Sequence, residues 1–311
     1  MHSARSVEPR SMERTAAVAL LGQRGIDRRE VAATILERDD PAAVVEILRR
    51  HLFDTKGLFH ESSMAALLKQ TEEQMAAWEA AGIGIHAWFE ADYPQQLRDI
   101  REMPLVVFTR GTLVEQDVGV AVVGTRQVSD KGMRRTRTIT RMLAQDGITV
   151  VSGLAEGVDT VAHRTALEFD SRTVAVIANG VDRCYPQANT DVQAAIVGNG
   201  LVLSEYRPHT RPAKWRFLER NAIMSGYAAA TIVVEAGERS GTRTQMRRAL
   251  EHGRPVILLD TVLSASWAKD AVPRQNLFVA SSPADVREIV AYLLAARTGT
   301  VDLPHPSPTF V

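Results

Sequence analysis

From Val118 onward the chain alternates unbroken apolar runs with amphipathic ones. VAVVG, TVAVIA, TIVVEA and PVILLD are rich in Val and Ile and show no polar alternation. Strands of that kind are covered by helices on both faces, so the pattern predicts a mainly parallel, doubly wound α/β sheet. Strands are expected at 118–124, 148–152, 173–178, 201–205, 230–235 and 255–260. Helices are expected over 129–146, 157–169, 190–198, 215–226 and 241–252, and ADVREIVAYLLAA at 284–296 reads as a closing helix. Upstream, from Glu13 to about Ala81, apolar residues recur at three and four, punctuated by Gly25, Asp40 and Gly82. That predicts a small helical bundle. IGIHAWF at 83–89 and PLVVFTRG at 104–111 read as strands, with YPQQLRDI at 93–100 a short helix between them. The expected division is a disordered 1–12, a helical module over 13–90, an extended Rossmann-like domain over 91–296, and a flexible tail over 297–311.

Two successive apolar runs end in turns of small residues. Gly124-Thr125-Arg126 ends the first, and Ser152-Gly153-Leu154-Ala155-Glu156-Gly157 the second. Adjacent parallel strands that finish this way aim backbone N–H groups into one crevice, which suits a phosphate. In the first turn Gly124 admits a ligand close to the backbone, Thr125 offers a hydroxyl and Arg126 a forked cation. An ordinary β–α turn with an exposed Arg would read the same. In the second, Ser152, Gly153, Ala155 and Gly157 leave room above the sheet, and Asp159 in the first helical turn can brace the loop. Neither turn is GxGxxG, and no Gly-Lys-[Ser/Thr] follows, which disfavours dinucleotide and P-loop chemistry. A third turn, Ser240-Gly241-Thr242, opens a helix after the strand ending at Glu235, a residue that reads equally as an acid/base or as a loop brace.

Lys214, Phe217, Arg220 and Asn221 recur at three and four, so one helical face would carry cation, aromatic, cation and amide. Cations for phosphates with an aromatic for a base suit single-stranded nucleic acid. Packing of Phe217 and Trp215 on the sheet is the plainer alternative.

The charge balance alone selects no partner, since 37 basic residues meet 37 acidic ones among 311. The distribution is more informative. Arg126, Lys131, Arg134, Arg135, Arg137 and Arg141 are opposed only by Asp130, and Arg207, Arg211, Lys214, Arg216 and Arg220 only by Glu219. Each cluster reads as a solvated helix face or, because it flanks a glycine turn, as a footprint for phosphates. A single cysteine, Cys184, excludes a disulfide framework and a thiolate metal site, and reads as a buried, inert thiol. His163 lacks a second ligand at metal spacing and reads as a core histidine, so neither metal nor cofactor is expected. No secretory signal and no run long enough to span a membrane is seen, which points to the cytoplasm.

From about Tyr93 to Glu288 the ordered blocks YPQQLRDI, VAVVGTR, GITVVSGLAEGVDTVAHRTAL, ANGVDRCYPQAN, GLVLSEY, KWRFLERNAIMSG and VVEAGERSGTRTQ resemble the DNA-processing protein A (DprA/Smf) family. The helical N-terminal segment is similar to the SAM-like or helix-hairpin-helix module many members carry. The resemblance implies a non-enzymatic protein that binds single-stranded DNA, forms a homodimer and helps load a RecA-type recombinase during DNA uptake. It implies phosphate contacts at Arg126, on the Ser152–Gly157 turn and at Lys214, and a base beside Phe217. Three departures stand out. Arg220-Asn221-Ala222 replaces Arg-Asn-Arg, Leu218 replaces a Pro, and the segment after Asp260 lacks the usual Pro-Gly and Ser-Arg-Gly-Thr-Asn wording, with no winged-helix domain following.

Phosphoribohydrolases of the same fold family are the rival of a different class. They need a glutamate three residues after the Thr of their Gly-Thr, where this chain has Gln245, which cannot serve as a general acid. A sensor of a small phosphorylated nucleotide is the other alternative, because a phosphate crevice does not reveal the length of its ligand.

Overall fold

The computed structural model describes residues 11–38, 40–56 and 61–297. Four helices come first: α1 (Ser11–Leu21), α2 (Arg28–Arg38), α3 (Ala43–Lys56) and α4 (Glu61–Ala80). Ser11 and Met12 already belong to α1, so the helical part begins earlier than expected; the rest of the 1–12 segment, and the tail from 298, lie outside the described residues. Then follow β1 (Gly84–Ala87), β2 (Val106–Gly111), β3 (Gly119–Gly124), α5 (Asp130–Gln145), β4 (Thr149–Ser152), α6 (Val158–Glu168) and β5 (Thr173–Val176). The chain continues through α7 (Thr190–Asn199), β6 (Leu201–Ser204), α8 (Lys214–Tyr227), β7 (Ala230–Glu235), α9 (Thr242–Glu251), β8 (Val256–Leu259), α10 (Ser266–Lys269), β9 (Leu277–Ala280) and α11 (Pro283–Arg297).

All nine strands join one sheet in the order β1-β2-β6-β5-β4-β3-β7-β8-β9. The pairs from β6 to β9 are parallel, and β2 and β1 extend the β6 edge antiparallel. The doubly wound, mainly parallel sheet expected from the Val/Ile runs is therefore present. Residues 93–100 hold only a 3₁₀ turn, Gln95–Leu97, and the short β9 was not anticipated because LFVA is too brief to carry a periodicity. From β3 the chain winds outward through β4, β5 and β6, then returns to lay β7, β8 and β9 on the other side of β3. The crevice outside the carboxyl ends of β3 and β7, where the order reverses, is the place where such sheets bind ligands. The β3–β7 register slips there, between Val123 and Gly124, so that Gly124 stands opposite Glu235.

Burial follows the sequence closely. Val120, Ala121, Val122, Val150, Val151, Val174, Ile232, Val233, Ile257 and Leu258 are fully buried, as strands packed on both faces require. Helices α5, α6 and α7 pack side by side, as do α8 and α9. Right-handed crossovers place these groups on opposite faces of the sheet.

The opposite end of the sheet is pinned by one buried carboxylate. Asp117 accepts hydrogen bonds from Arg172 Nε (2.9 Å), Tyr227 Oη (2.9 Å) and Thr149 Oγ1 (2.5 Å), tying together the starts of β3, β4 and β5 and the end of α8.

The helical module is fastened through arginines. Arg14 donates to Glu79 and to the carbonyl of Ile85 (2.7 Å), Arg28 pairs with Glu205 (3.8 Å), and Arg207 reaches Gln74 and stacks on Trp78 (5.3 Å). Trp78 meets Phe108 of β2 edge-on at 5.8 Å. Removing the Asp117 carboxylate strands three partners at once. Asp117→Ala is expected to lower unfolding free energy by about 2–4 kcal/mol, read as a reduced urea midpoint with unchanged m-value.

Candidate nucleic-acid interface

Two turns meet at the carboxyl ends of β3 and β4, beside the end of β7. Thr125 N–H donates to the Glu235 carbonyl (2.7 Å) and Val158 N–H to the Thr125 carbonyl (3.2 Å), so the first turn is clamped between its neighbours. Gly157 lies in the left-handed region (φ +79), and a Cβ there would strike the carbonyl oxygens of Thr125 and Arg126. Only glycine satisfies both constraints. Leu154 also has a positive φ (+55) although fully buried, a conformation costing about 1–3 kcal/mol that its surroundings must enforce. The enforcement is visible: Asn189 Nδ2 donates to the Leu154 carbonyl (3.0 Å) and to Thr160 Oγ1 (2.8 Å), while Thr160 Oγ1 donates to the Ala155 carbonyl (2.7 Å). The sequence assigns Asn189 no role. A single Asn in a polar loop carries no periodic signal.

The exposed chemistry gathers around Phe217 of α8. The Arg126 guanidinium lies 5.2 Å from the Phe217 ring centroid, and Tyr185 packs against the same ring at 5.7 Å, tilted by 49°. Tyr185 is 43% exposed, so an aromatic face is presented to solvent beside Arg126. Its proximity depends on a loop between β5 and α7, and nothing in local spacing reveals it. Lys214, the first residue of α8, is exposed at the same end of that helix.

Beneath this surface the expected face turns inward. Arg220 is only 5% exposed, and its Nη1 donates weakly to the Val176 carbonyl (3.3 Å). The guanidinium fills the space where a Gly153 side chain would stand. Burial lowers its pKa, opposed by attraction to Asp159, and Arg126 adds repulsion from above. Asp159 is buried too; burial pushes its pKa up, opposed by Arg220 and by the N–H groups of Ala155 and Gly153. Asn221 is 9% exposed. Ser152 is fully buried with its hydroxyl committed to the Val122 carbonyl (2.7 Å). The expectation that Arg220, Asn221 and Ser152 contact a ligand through their side chains is thus corrected: α8 sinks into the sheet after one turn, and Ser152 is buried at the end of β4. What the second turn can offer a phosphate is backbone.

Other expected contributors are partly used up. Thr125 Oγ1 accepts from Gln127 N–H (3.2 Å). Ser240 Oγ donates to Thr242 Oγ1 (2.8 Å) and accepts Thr242 N–H (3.2 Å), closing the Ser240-Gly241-Thr242 turn on itself. Glu235 accepts Ser129 Oγ (2.7 Å) and Ser129 N–H (3.1 Å), holding the start of α5, whose Gly132 N–H is capped by Ser129. Glu238 is engaged by Ser266. Gln245 is 2% exposed, and neither of its amide atoms has a partner among the described residues. Cys184 is half-buried rather than buried, and burial raises its thiol pKa. His163 is a core histidine: Thr173 Oγ1 donates to the Val150 carbonyl (2.8 Å), so His163 Nδ1–H must donate to Thr173 (2.8 Å). Among the described residues no cluster of His, Cys, Asp and Glu fits a metal.

The structure is a Rossmann-like sheet whose clamped first glycine turn lies beside the exposed Arg126 and the Phe217–Tyr185 pair. The family described as DNA recombination-mediator protein A matches residues 84–280, and the chain belongs to it. It is 35% identical to the DNA processing protein DprA of Bacillus subtilis over 66% of this chain and 72% of that protein. It is 40% identical to the Streptococcus pneumoniae DNA processing protein DprA over 54% of this chain and 59% of that protein. The solved structure of the Streptococcus pneumoniae protein superposes with a TM-score of 0.70 at 29% identity, covering 88% of this chain and 96% of its own. DNA processing protein A from Helicobacter pylori, whose structure addresses its single-stranded DNA binding mode, gives a TM-score of 0.60 at 25% identity over 68% and 96% of the two chains. Among the described residues no helix is long and apolar enough to cross a membrane.

Two measurements test this geometry. Gly153→Ala must displace the buried Arg220 guanidinium, so it is expected to cost about 1–3 kcal/mol in denaturant unfolding; a neutral result would overturn the packing. Burial lowers the His163 pKa to about 3, against 6.5 unfolded. Between these values the unfolded chain binds more protons, so this contribution is complete above pH 6.5 and lost as pH falls toward 3. His163→Gln should flatten the fall in stability across that window by an amount on the order of a few kcal/mol, and parallel curves for the two proteins would refute it.

Proposed function

We propose that this protein binds single-stranded DNA without cleaving it. The strand's backbone crosses the carboxyl ends of β3 and β4, with Arg126 and Lys214 on phosphates and a base against Phe217, backed by Tyr185. The observation that carries this reading is the Arg126–Phe217–Tyr185 group, which puts a forked cation and an exposed aromatic surface side by side. Such pairing suits a strand whose bases are unstacked and whose phosphates alternate with them. The two turns offer backbone N–H groups, with Gly153 and Gly157 making room for Arg220 and for the Thr125–Arg126 backbone, while Arg220 and Asp159 hold the second turn from below.

The family membership supports the same reading. In it the protein works as a homodimer in the cytoplasm and helps load a RecA-type recombinase in DNA uptake or recombination. Catalysis has no support in the site, because Gln245 cannot donate a proton and Glu235 and Glu238 already hold Ser129 and Ser266. The sensor reading rests on one observation: with Arg220 buried, only Arg126 and Lys214 of the expected cations remain exposed, enough for a short phosphorylated ligand.

Titrating labelled single-stranded oligonucleotide across salt concentrations separates the two. Arg126→Ala with Lys214→Ala should weaken binding and reduce the salt slope by about 1.4. Phe217→Ala should cost about 1–3 kcal/mol of affinity with the slope unchanged. Absence of binding at low salt, or wild-type behaviour of the double variant, refutes the reading. A melting-temperature rise with mononucleotides but not with oligonucleotides would replace it by the sensor.

A further inference from the structure

The basic cluster of 126–141 does not end at the crevice. Helix α5 starts six residues after Gly124, at the crevice mouth, and runs away from it along the outside of the sheet. Thr136, Ile139, Thr140 and Leu143 face the core, while Lys131, Arg134, Arg137 and Arg141 are exposed. At 100° per residue, Arg134, Arg137 and Arg141 fall within an arc of about 60°, and Lys131 to Arg141 spans about 15 Å of helix axis. Three acids at the borders of α5 are already committed. Arg287 takes both oxygens of Asp146 (2.8 and 2.6 Å), Arg135 takes Asp260 (2.6 Å), and Ser129 takes Glu235. Asp130, at the head of the stripe, forms no ion pair, and none of Arg134, Arg137 and Arg141 has an acidic partner within 4 Å among the described residues.

Neighbouring cations at i, i+3 and i+4 repel one another on a helix. Here that repulsion is left uncompensated, although the same helix pairs Arg135 and the chain has as many acids as bases. We infer that the outer face of α5 is a second binding track for the phosphate backbone of single-stranded nucleic acid, continuous with the crevice at Arg126. The inference rests on the reading of the crevice given above. The crevice supplies base contact and fixes the strand; the α5 stripe supplies only sequence-independent charge along a longer stretch of it. A polyanion is the occupant that fits, because the exposed face of α5 carries a row of cations and no aromatic side chain.

The track predicts a dependence on strand length. The experiment compares oligothymidylates of about 8 and about 30 nucleotides on wild type and on the triple variant Arg134→Gln, Arg137→Gln, Arg141→Gln. All three positions are exposed and Gln is a good helix former, so the fold should persist, checked by thermal unfolding. For the long strand the variant should bind roughly tenfold or more weakly near physiological salt, with a salt slope reduced by about 2. Short-strand affinity should stay within about twofold of wild type. Unchanged long-strand binding overturns the track, and so does equal weakening of both lengths, which would mean a diffuse field. If wild type binds neither strand, the crevice reading itself fails, an outcome distinct from either.

Discussion

The buried Arg220 guanidinium is the constraint around which the rest of the crevice is arranged. It occupies the volume a Gly153 side chain would need, reaches the end of β5 through Val176, and is drawn to Asp159 at the start of α6. One cation thus couples α8, which crosses between the two halves of the sheet, to the ends of β4 and β5. A guanidinium so placed is costly unless its charge is compensated, and Asp159 is the nearby anion. The same carboxylate collects N–H groups of the glycine turn, so the turn's shape and the position of α8 are set together. That coupling helps set the position of Phe217 and Lys214 relative to Arg126.

Most of the sheet was legible because parallel strands buried on both faces need unbroken Val and Ile, a demand no surface element shares. The helical N-terminal part was legible for a related reason: α1 buries Ala16, Ala17, Val18, Ala19 and Leu20. The site was legible only in part. In the sequence Gly157 reads as room for a ligand, whereas its left-handed turn makes room for the backbone of Thr125 and Arg126. Arg220 and Asn221 misled because helical spacing says which residues share a face, not where that face enters the core. Ser152 reads as a small residue leaving room above the sheet, whereas it is buried and its hydroxyl bonds the carbonyl of the neighbouring strand. Tyr185 was invisible: its partner lies 32 residues away in sequence and across a loop.

Charge tells the same story at larger scale. The two basic clusters looked alike in sequence, yet they have different fates. Arg207 stacks on Trp78 to hold the helical module, Arg216 lies over Tyr206 and Trp215, and Arg220 is buried, which leaves Arg211 and Lys214 exposed. The other cluster loses only Arg135 to an ion pair. Uncompensated charge therefore concentrates along one helix and at one turn, although the chain as a whole is neutral. Local field, not net charge, governs encounter with a polyanion.

The Arg126–Phe217 contact carries a further consequence for how a strand would engage. In the free protein the cation already covers one face of the ring, an interaction worth about 0.5–1 kcal/mol at an exposed site. A base stacking on that ring gains about 1–3 kcal/mol, and a phosphate offers the guanidinium a bidentate partner of opposite charge. Both exchanges run in the same direction, since drawing Arg126 toward a phosphate uncovers the ring for the base. A free phosphate or a bare base achieves only half of this. On the proposed reading, the arrangement thereby favours a ligand that carries both groups at nucleotide spacing. With Tyr185 supporting Phe217 from behind, it does so without reading the identity of the base.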